Sequence, residues 1–184
     1  MGASDSMSAK YALGSMLYVV AWPILEEADD TALARLRAQY HPEEAGLIGP
    51  HFTLVFGASE ERADALYTSL ETTAAVRRPF WFMLERLRHE AVTPASRAAY
   101  LFAEPADGAA ELIDLHEALN SGPDSRPFDP HITLGLFPSA IEAERIARIV
   151  ERQHLPMRGR VEELALLRRD GDRLETLATF VLGS

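Results

Sequence analysis

Two stretches of the chain carry the same set of chemically active side chains in the same order. Residues 49–57 read GPHFTLVFG and residues 129–137 read DPHITLGLF, so each has proline, histidine, an apolar residue, threonine and leucine. An imidazole titrates near neutral pH and can act as a general acid or base. A hydroxyl can donate a hydrogen bond to an anionic oxygen. Each stretch could therefore contribute an acid–base group and a hydrogen-bond donor to one reaction.

Alternation along a strand places the two active side chains of each stretch on one face. Both stretches read as buried strands, on which side chains i and i+2 share a face about 7 Å apart. His51 and Thr53 therefore point the same way, and so do His131 and Thr133. The neighbouring apolar side chains are expected to point into a core: Phe52, Leu54, Ile132 and Leu134. If a twofold axis relates the two strands, the two pairs face each other across a cleft.

Chance does not account for the repetition. In a shuffled chain of this composition the pattern His-x-Thr-Leu is expected about 0.04 times, and two copies on the order of once in a thousand chains. Each copy also follows a proline. A lone pattern of this kind would favour a structural role, whereas the pair favours a functional site made of the two histidines and the two threonines.

The elements around the two stretches repeat in the same order. Hydrophobic periodicity predicts strand, helix, strand, helix, strand, strand, helix, strand, helix, strand, strand. The block made of the histidine-bearing strand, a helix and two strands occurs twice, which predicts an α+β fold with pseudo-twofold symmetry. No linker rich in glycine, serine or proline separates the halves. We therefore expect residues 11–184 to form one domain after a flexible leader over residues 1–10.

Local signals predict where individual helices begin and end. Pro42 and Gly46 are expected to end the first helix, because proline cannot continue a helix and glycine favours helix ends. Ser139 followed by Glu142 is the pattern of a capping box and predicts the start of the last helix.

Composition limits the function classes. The formal net charge is −10, which argues against a protein that grips long duplex nucleic acid. The chain has no cysteine, so it has neither disulfides nor a thiolate zinc site, as expected of a cytoplasmic protein. No apolar run reaches the roughly 18 residues that a membrane span needs.

The paired motifs resemble those of the 2H phosphoesterase superfamily, which includes 2′-5′ RNA ligase-like proteins and 2′,3′-cyclic phosphodiesterases. HFTLVFG is similar to the first family motif, and RPFDPHITLG is similar to the second. The resemblance implies two lobes, each with an antiparallel sheet flanked by helices, around a central groove. It also implies that His51, Thr53, His131 and Thr133 are the catalytic residues, with no metal or other cofactor.

The implied reaction suits these residue types. Opening a 2′,3′-cyclic phosphate needs a base that activates water and an acid that protonates the departing ribose oxygen. The threonine hydroxyls can stabilise charge on the phosphate oxygens. The expected substrates are cyclic phosphates or 2′-5′ linkages of nucleotides or short RNA ends, with the protein acting as a monomer. The two motifs are too alike to say which histidine is the base.

Two residues just before the second motif are candidates for substrate binding. Arg126 could pair with a phosphate and Phe128 could stack on a base, the alternatives being a solvated loop arginine and a core aromatic ring. His116 is expected to pack at a helix edge. The strand aromatics are expected mainly in the core: Tyr18, Trp22, Trp81 and Tyr100.

Two further function hypotheses stay open at this point. The chain could be a nucleotide-binding or RNA-end-binding module that has the groove without turnover, although both intact motifs favour an enzyme. A metallohydrolase would need a site such as His51, His131 and Asp129, but no His-x-x-x-His spacing supports one.

Overall fold

The computed structural model describes residues 14–120 and 128–183, so the expected leader lies outside the described residues. The strands are β1 Met16–Leu25, β2 Phe52–Ser59, β3 Phe80–Ala91, β4 Ala99–Pro105, β5 Ile132–Phe137, β6 Met157–Asp170 and β7 Arg173–Val181. The helices are α1 Glu27–Tyr40, α2 Pro42–Leu47, α3 Ala63–Val76, α4 Ala109–Leu119 and α5 Ala140–His154. Within the described ranges, no helix has the length and apolar character needed to cross a membrane.

The predicted order of strands and helices is confirmed, with one added helix. Pro42 follows the end of α1 but is also the first residue of α2, where its missing N–H has no intrahelical partner to lose. Gly46 lies inside α2, so the prediction that it ends the first helix was wrong. The cap of α5 is as predicted, since the Glu142 N–H donates to Ser139 Oγ over 3.2 Å.

All pairs of the described strands are antiparallel and form one seven-stranded sheet. The order is β2-β1-β6-β3-β4-β5, and β7 pairs with β6 beside this path. The α+β class is therefore confirmed. The two sheets expected from the family resemblance are joined, because residues 80–84 of β3 pair with residues 157–161 of β6.

The pairings repeat about the junction between β3 and β6. The run β1-α1-β2-α3-β3 is matched by β4-α4-β5-α5-β6. The β1–β2 and β1–β6 pairs of the first run correspond to the β4–β5 and β4–β3 pairs of the second. Strand β7 has no counterpart among the described strands. The predicted pseudo-twofold relation is thus present in the hydrogen-bonding pattern as well as in the element order.

Two helices cross between the halves. Helix α1 packs on β5 of the second half, and α4 packs on β2 of the first. The close approach of α1 depends on Gly135 in β5, because a Cβ atom there would lie 2.6 Å from Tyr40 Cβ and 3.1 Å from the Tyr40 carbonyl oxygen. This crossed packing fastens each histidine-bearing strand to a helix of the opposite half.

Replacing Gly135 with alanine should loosen α1 from β5. The new methyl group would meet the backbone of Tyr40, so the whole last turn of α1 must move. We expect the free energy of unfolding, measured by urea titration, to fall by about 1–3 kcal/mol. Gly46→Ala is the control, because nothing lies within 4 Å of its added methyl group; since Gly46 lies inside α2, alanine there should raise the stability by up to about 1 kcal/mol. A Gly135→Ala variant as stable as wild type would contradict close packing of α1 on β5.

Candidate active site

The two motifs occupy equivalent places at the starts of two strands. His51 directly precedes β2 and His131 directly precedes β5, and each threonine is the second residue of its strand. All four side chains are partly exposed. The apolar residues between and after them are at most 2% exposed, as the predicted alternation requires: Phe52, Leu54, Ile132 and Leu134.

One cavity of about 490 Å³ brings the four predicted residues together. Both histidines and both threonines line it, along with residues of α1, α2, β1, β4 and the β6–β7 hairpin. Strands β2 and β5 are the two ends of the six-strand path, which would stand roughly 24 Å apart in a flat sheet. The sheet therefore curves so that its two outer strands close on one space.

Each imidazole is held by the backbone just before it. His51 Nδ1 lies 2.9 Å from the Gly49 carbonyl oxygen, and His131 Nδ1 lies 2.7 Å from that of Asp129. A carbonyl oxygen only accepts, so Nδ1 is the donor in both bonds and carries the proton. In the neutral ring Nε2 is then the free base. Nε2 is therefore the nitrogen available for proton transfer in both motifs.

Burial sets the protonation state of both rings. Loss of solvation lowers the pKa of His51 to about 4, against a smaller opposing effect of its bond to the Gly49 carbonyl. Burial also lowers the pKa of His131, and its bond to the Asp129 carbonyl again opposes the change. Both rings are therefore neutral near pH 7 in the unliganded protein.

The charges nearest the two rings differ. Arg37 lowers the pKa of His51, while Glu44 raises it. His131 lies near Arg88 and near two carboxylates that pair with Arg88, those of Glu104 and Glu90. His131 therefore lies beside an arginine whose charge is paired with carboxylates. His51 lies beside a buried arginine.

Aromatic rings flank both histidines. The ring centroids of His131 and Phe102 are 4.0 Å apart, and the Arg88 guanidinium lies 5.2 Å from the Phe102 centroid. The His51 ring meets Trp22 edge-on, with centroids 6.2 Å apart. These rings exclude water from one side of each imidazole, which is consistent with the lowered pKa values.

The structure describes only one of the two residues predicted to contact the substrate. Arg126 lies outside the described residues. Phe128 lines the cavity, and its ring is stacked on His116, with centroids 4.2 Å apart and planes 6° apart. His116 also lines the cavity, and its Nδ1 lies 2.8 Å from the Leu54 carbonyl oxygen of β2. His116 therefore packs against neighbouring elements, as expected, and also lines the cavity, which was not predicted.

Three of the strand aromatics depart from the prediction that these residues lie mainly in the core. Tyr18 and Tyr100 line the cavity, and Trp81 is 55% exposed. For Tyr18 and Tyr100, the face of the sheet on which each side chain lies explains the difference. Residues that alternate with the core positions of β1 and β4 point into the cavity rather than toward α3 and α5.

Four wall residues carry charge or a titratable ring and were not predicted from the sequence. They are Arg37, His41, Glu44 and Arg169. A signal for Arg37 exists, because it stands four residues after Leu33 and three before Tyr40, on the apolar face of α1. In the part of the chain that the structure describes, no three His, Cys, Asp or Glu side chains group as metal ligands.

Comparison with known proteins gives a family match and several structural matches. The sequence model described as the 2′-5′ RNA ligase superfamily matches residues 25–173. No curated protein sequence matches significantly. E. coli LigT complexed with 3′-AMP is 21% identical with a TM-score of 0.61, over 94% of this chain and 100% of that one.

Two further solved structures widen the comparison. The protein TT0787 of Thermus thermophilus is 23% identical with a TM-score of 0.61, over 92% of this chain and 98% of that one. Kluyveromyces marxianus Usb1 is 11% identical with a TM-score of 0.55, over 88% of this chain and 97% of that one. At these identities the three structures establish a shared fold.

The lowered pKa of His51 should appear in the pH dependence of stability. An unfolded histidine titrates near pH 6.5, whereas folded His51 titrates at about 4. Between these values only the unfolded state binds the proton, so this residue lowers stability as the pH falls through the window, by up to about 3 kcal/mol. His51→Gln removes the effect. Urea titrations at pH 7, 5.5 and 4 should therefore show a stability difference, wild type minus variant, that falls steadily.

His89→Gln is the control for this measurement, because His89 is exposed on β3 and lies outside the cavity. Parallel stability curves for wild type and His51→Gln over this range would show that His51 is not held neutral by burial.

Proposed function

Because the chain belongs to the 2′-5′ RNA ligase superfamily, a group of 2H phosphoesterases, we propose that it hydrolyses 2′,3′-cyclic phosphates or 2′-5′ linkages of nucleotides or RNA ends. One observation carries the proposal. Two His-x-Thr pairs line a single cavity, and each imidazole is bound through Nδ1 so that Nε2 is available for proton transfer. His51, Thr53, His131 and Thr133 are the proposed catalytic residues.

The reaction needs two proton transfers on opposite sides of one phosphorus atom. One Nε2 removes a proton from a water molecule, whose oxygen then forms a bond to phosphorus. The bond from phosphorus to one ribose oxygen breaks, and the second histidine gives its Nε2 proton to that oxygen. The product is a phosphomonoester with a free neighbouring hydroxyl. Thr53 and Thr133 donate hydrogen bonds to the non-bridging oxygens as their charge grows.

The surroundings of the two rings support a division of roles. His51 has a pKa lowered to about 4 and a neighbouring Arg37, both of which favour the neutral ring of a general base. His131 lies near Arg88, whose charge is paired with Glu104 and Glu90, so these surroundings favour an imidazolium more than the buried Arg37 beside His51 does. An anionic phosphate in the cavity adds to this effect. We therefore assign His51 as the base and His131 as the acid.

The ligand class has separate support. E. coli LigT has been solved with 3′-AMP, with ATP and with NADP+, all of them nucleotides. The cavity of about 490 Å³ falls in the range of small-molecule sites and has aromatic walls suited to a base or sugar. Phe128, which lines this cavity, and Arg126, just before the second motif, are proposed to contact the substrate.

Loss of either histidine should nearly abolish turnover. The assay is hydrolysis of the four nucleoside 2′,3′-cyclic phosphates in EDTA by wild type, His51→Ala and His131→Ala. General acid–base groups contribute roughly 10²- to 10⁴-fold each, so kcat should fall by that factor in each variant. His154→Ala changes a histidine at the end of α5 and is the control.

Three results would count against the proposal. Chelation could abolish wild-type turnover, which would indicate a metallohydrolase. One histidine variant could keep full activity. Wild type could bind cyclic phosphates without turning them over, which would favour the non-catalytic binding module.

A further inference from the structure

Arg37 is a buried cation in the wall of the cavity, without an ion-pair partner among the described residues. Its side chain is 2% exposed, and its Nε and Nη1 atoms are buried without a hydrogen-bond acceptor. Among the described residues it forms no ion pair, because the neighbouring Glu44 carboxylate is taken by Arg169, at 3.1 Å and 3.3 Å. An unpaired buried charge is costly, so its presence in a cavity wall calls for an anion from outside.

The equivalent residue in the other half, His116, has a hydrogen-bond acceptor on the strand that its helix packs against. Arg37 lies four residues before His41, which caps the C-terminus of α1, and His116 lies four residues before Asn120, which caps α4. His116 Nδ1 and Asn120 Nδ2 both donate to the Leu54 carbonyl oxygen of β2, at 2.8 Å and 2.9 Å. Within the described ranges, the buried Nε and Nη1 of Arg37 make no such bond to β5. The donors that fasten α4 to its strand therefore have no counterpart at Arg37.

Arg37 is close enough to His51 for its charge to lower the pKa of that ring, but among the described residues its buried Nε and Nη1 make no hydrogen bond to either catalytic histidine. A row of rings leads from His131 to Phe102, Tyr100 and His41, with successive centroids 4.0, 5.8 and 6.2 Å apart. His41 follows α1, and its N–H donates to the Arg37 carbonyl oxygen. His131 and the last turn of α1, which carries Arg37, therefore lie at opposite ends of this row of rings.

We propose that Arg37 forms a second phosphate subsite, which takes a phosphate on the 5′ oxygen of the nucleotide whose 2′,3′ end reacts. This inference rests on the proposed function, since it takes the His-x-Thr pairs as the site of the reacting phosphate. It names the preferred substrate class as 5′-phosphorylated nucleotide ends. The local charge suits this ligand, because Glu44 pairs with Arg169 and, among the described residues, leaves the charge of Arg37 without an ion-pair partner.

Binding of unreactive products tests the subsite without requiring turnover. Isothermal titration in EDTA compares adenosine 3′-monophosphate with adenosine 3′,5′-bisphosphate, and the 2′ isomers are measured in parallel. A charge-assisted bond to Arg37 should give wild type a preference of about tenfold or more for the bisphosphate. In Arg37→Met the preference should fall to within about twofold, while the affinity for the monophosphate stays within about twofold of wild type.

Two variants complete the design. Arg35→Met changes an exposed arginine on the same helix and should keep the wild-type preference. Arg37→Lys keeps the charge without the planar fork and should retain part of the preference, which keeps the test valid if the methionine variant does not fold. A thermal melt of Arg37→Met should show no loss of stability, because the substitution removes an unpaired buried charge.

Several outcomes would overturn the subsite. Wild type could bind both nucleotides equally well, or Arg37→Met could weaken both by the same factor, which would place Arg37 on the reacting phosphate. Failure of the proposed function looks different: nucleotides bind with the expected preference but no cyclic phosphate is hydrolysed. If wild type binds neither nucleotide, the subsite fails, and turnover of the cyclic phosphates decides the proposed function separately. If wild type shows the expected preference, a dinucleotide with a 3′-phosphate distinguishes an internucleotide phosphate from a terminal 5′-phosphate as the natural occupant.

Discussion

The two histidines stand at the outer strands of one sheet, and the site exists only because the sheet closes on itself. A flat arrangement of β2-β1-β6-β3-β4-β5 would hold them far apart. Closure is maintained by α1 on β5 and α4 on β2, each helix crossing to the other half. Gly135 leaves the space that α1 needs. The approach of the two histidines therefore depends on the packing of these helices on β5 and β2, and not on contacts inside the cavity.

Closure also determines the chemistry. Burying both imidazoles disfavours their charged forms, while the Gly49 and Asp129 carbonyls fix Nδ1 as the protonated nitrogen in each ring. Two chemically equivalent groups then become distinct through their neighbours. A buried arginine lies near His51, whereas an arginine paired with two carboxylates lies near His131. A nearly symmetric backbone thus holds an asymmetric pair.

Much of the fold could be predicted from the pattern of residues along the chain. The alternation in the two motifs, the order of strands and helices, and the cap at Ser139 all follow from local sequence and agree with the structure. The β3–β6 pair that joins the sheets could not be predicted, because strand partners distant in sequence leave no local signal. Phe128 was a candidate for stacking on a base, but one face of its ring is taken by His116, a contact between distant elements.

The burial of the Arg37 guanidinium could not be predicted from the sequence. Its position on the apolar face of α1 was visible in the spacing from Leu33, but the same spacing suits an arginine whose stem packs and whose head reaches water. Only the tertiary packing shows that the head is buried and lines the cavity. The same packing leaves His41 and Glu44 beside it.

The central claim is that His51 and His131 act as one unit on one phosphate. The most direct test is kcat for cyclic phosphate hydrolysis in the double variant His51→Ala/His131→Ala, compared with both single variants. If the two rings carry out a single concerted reaction, losing the second costs little once the first is gone. We expect kcat of the double variant to lie within about threefold of that of the slower single variant. Losses that multiply would show that the two histidines contribute independently, and would contradict it.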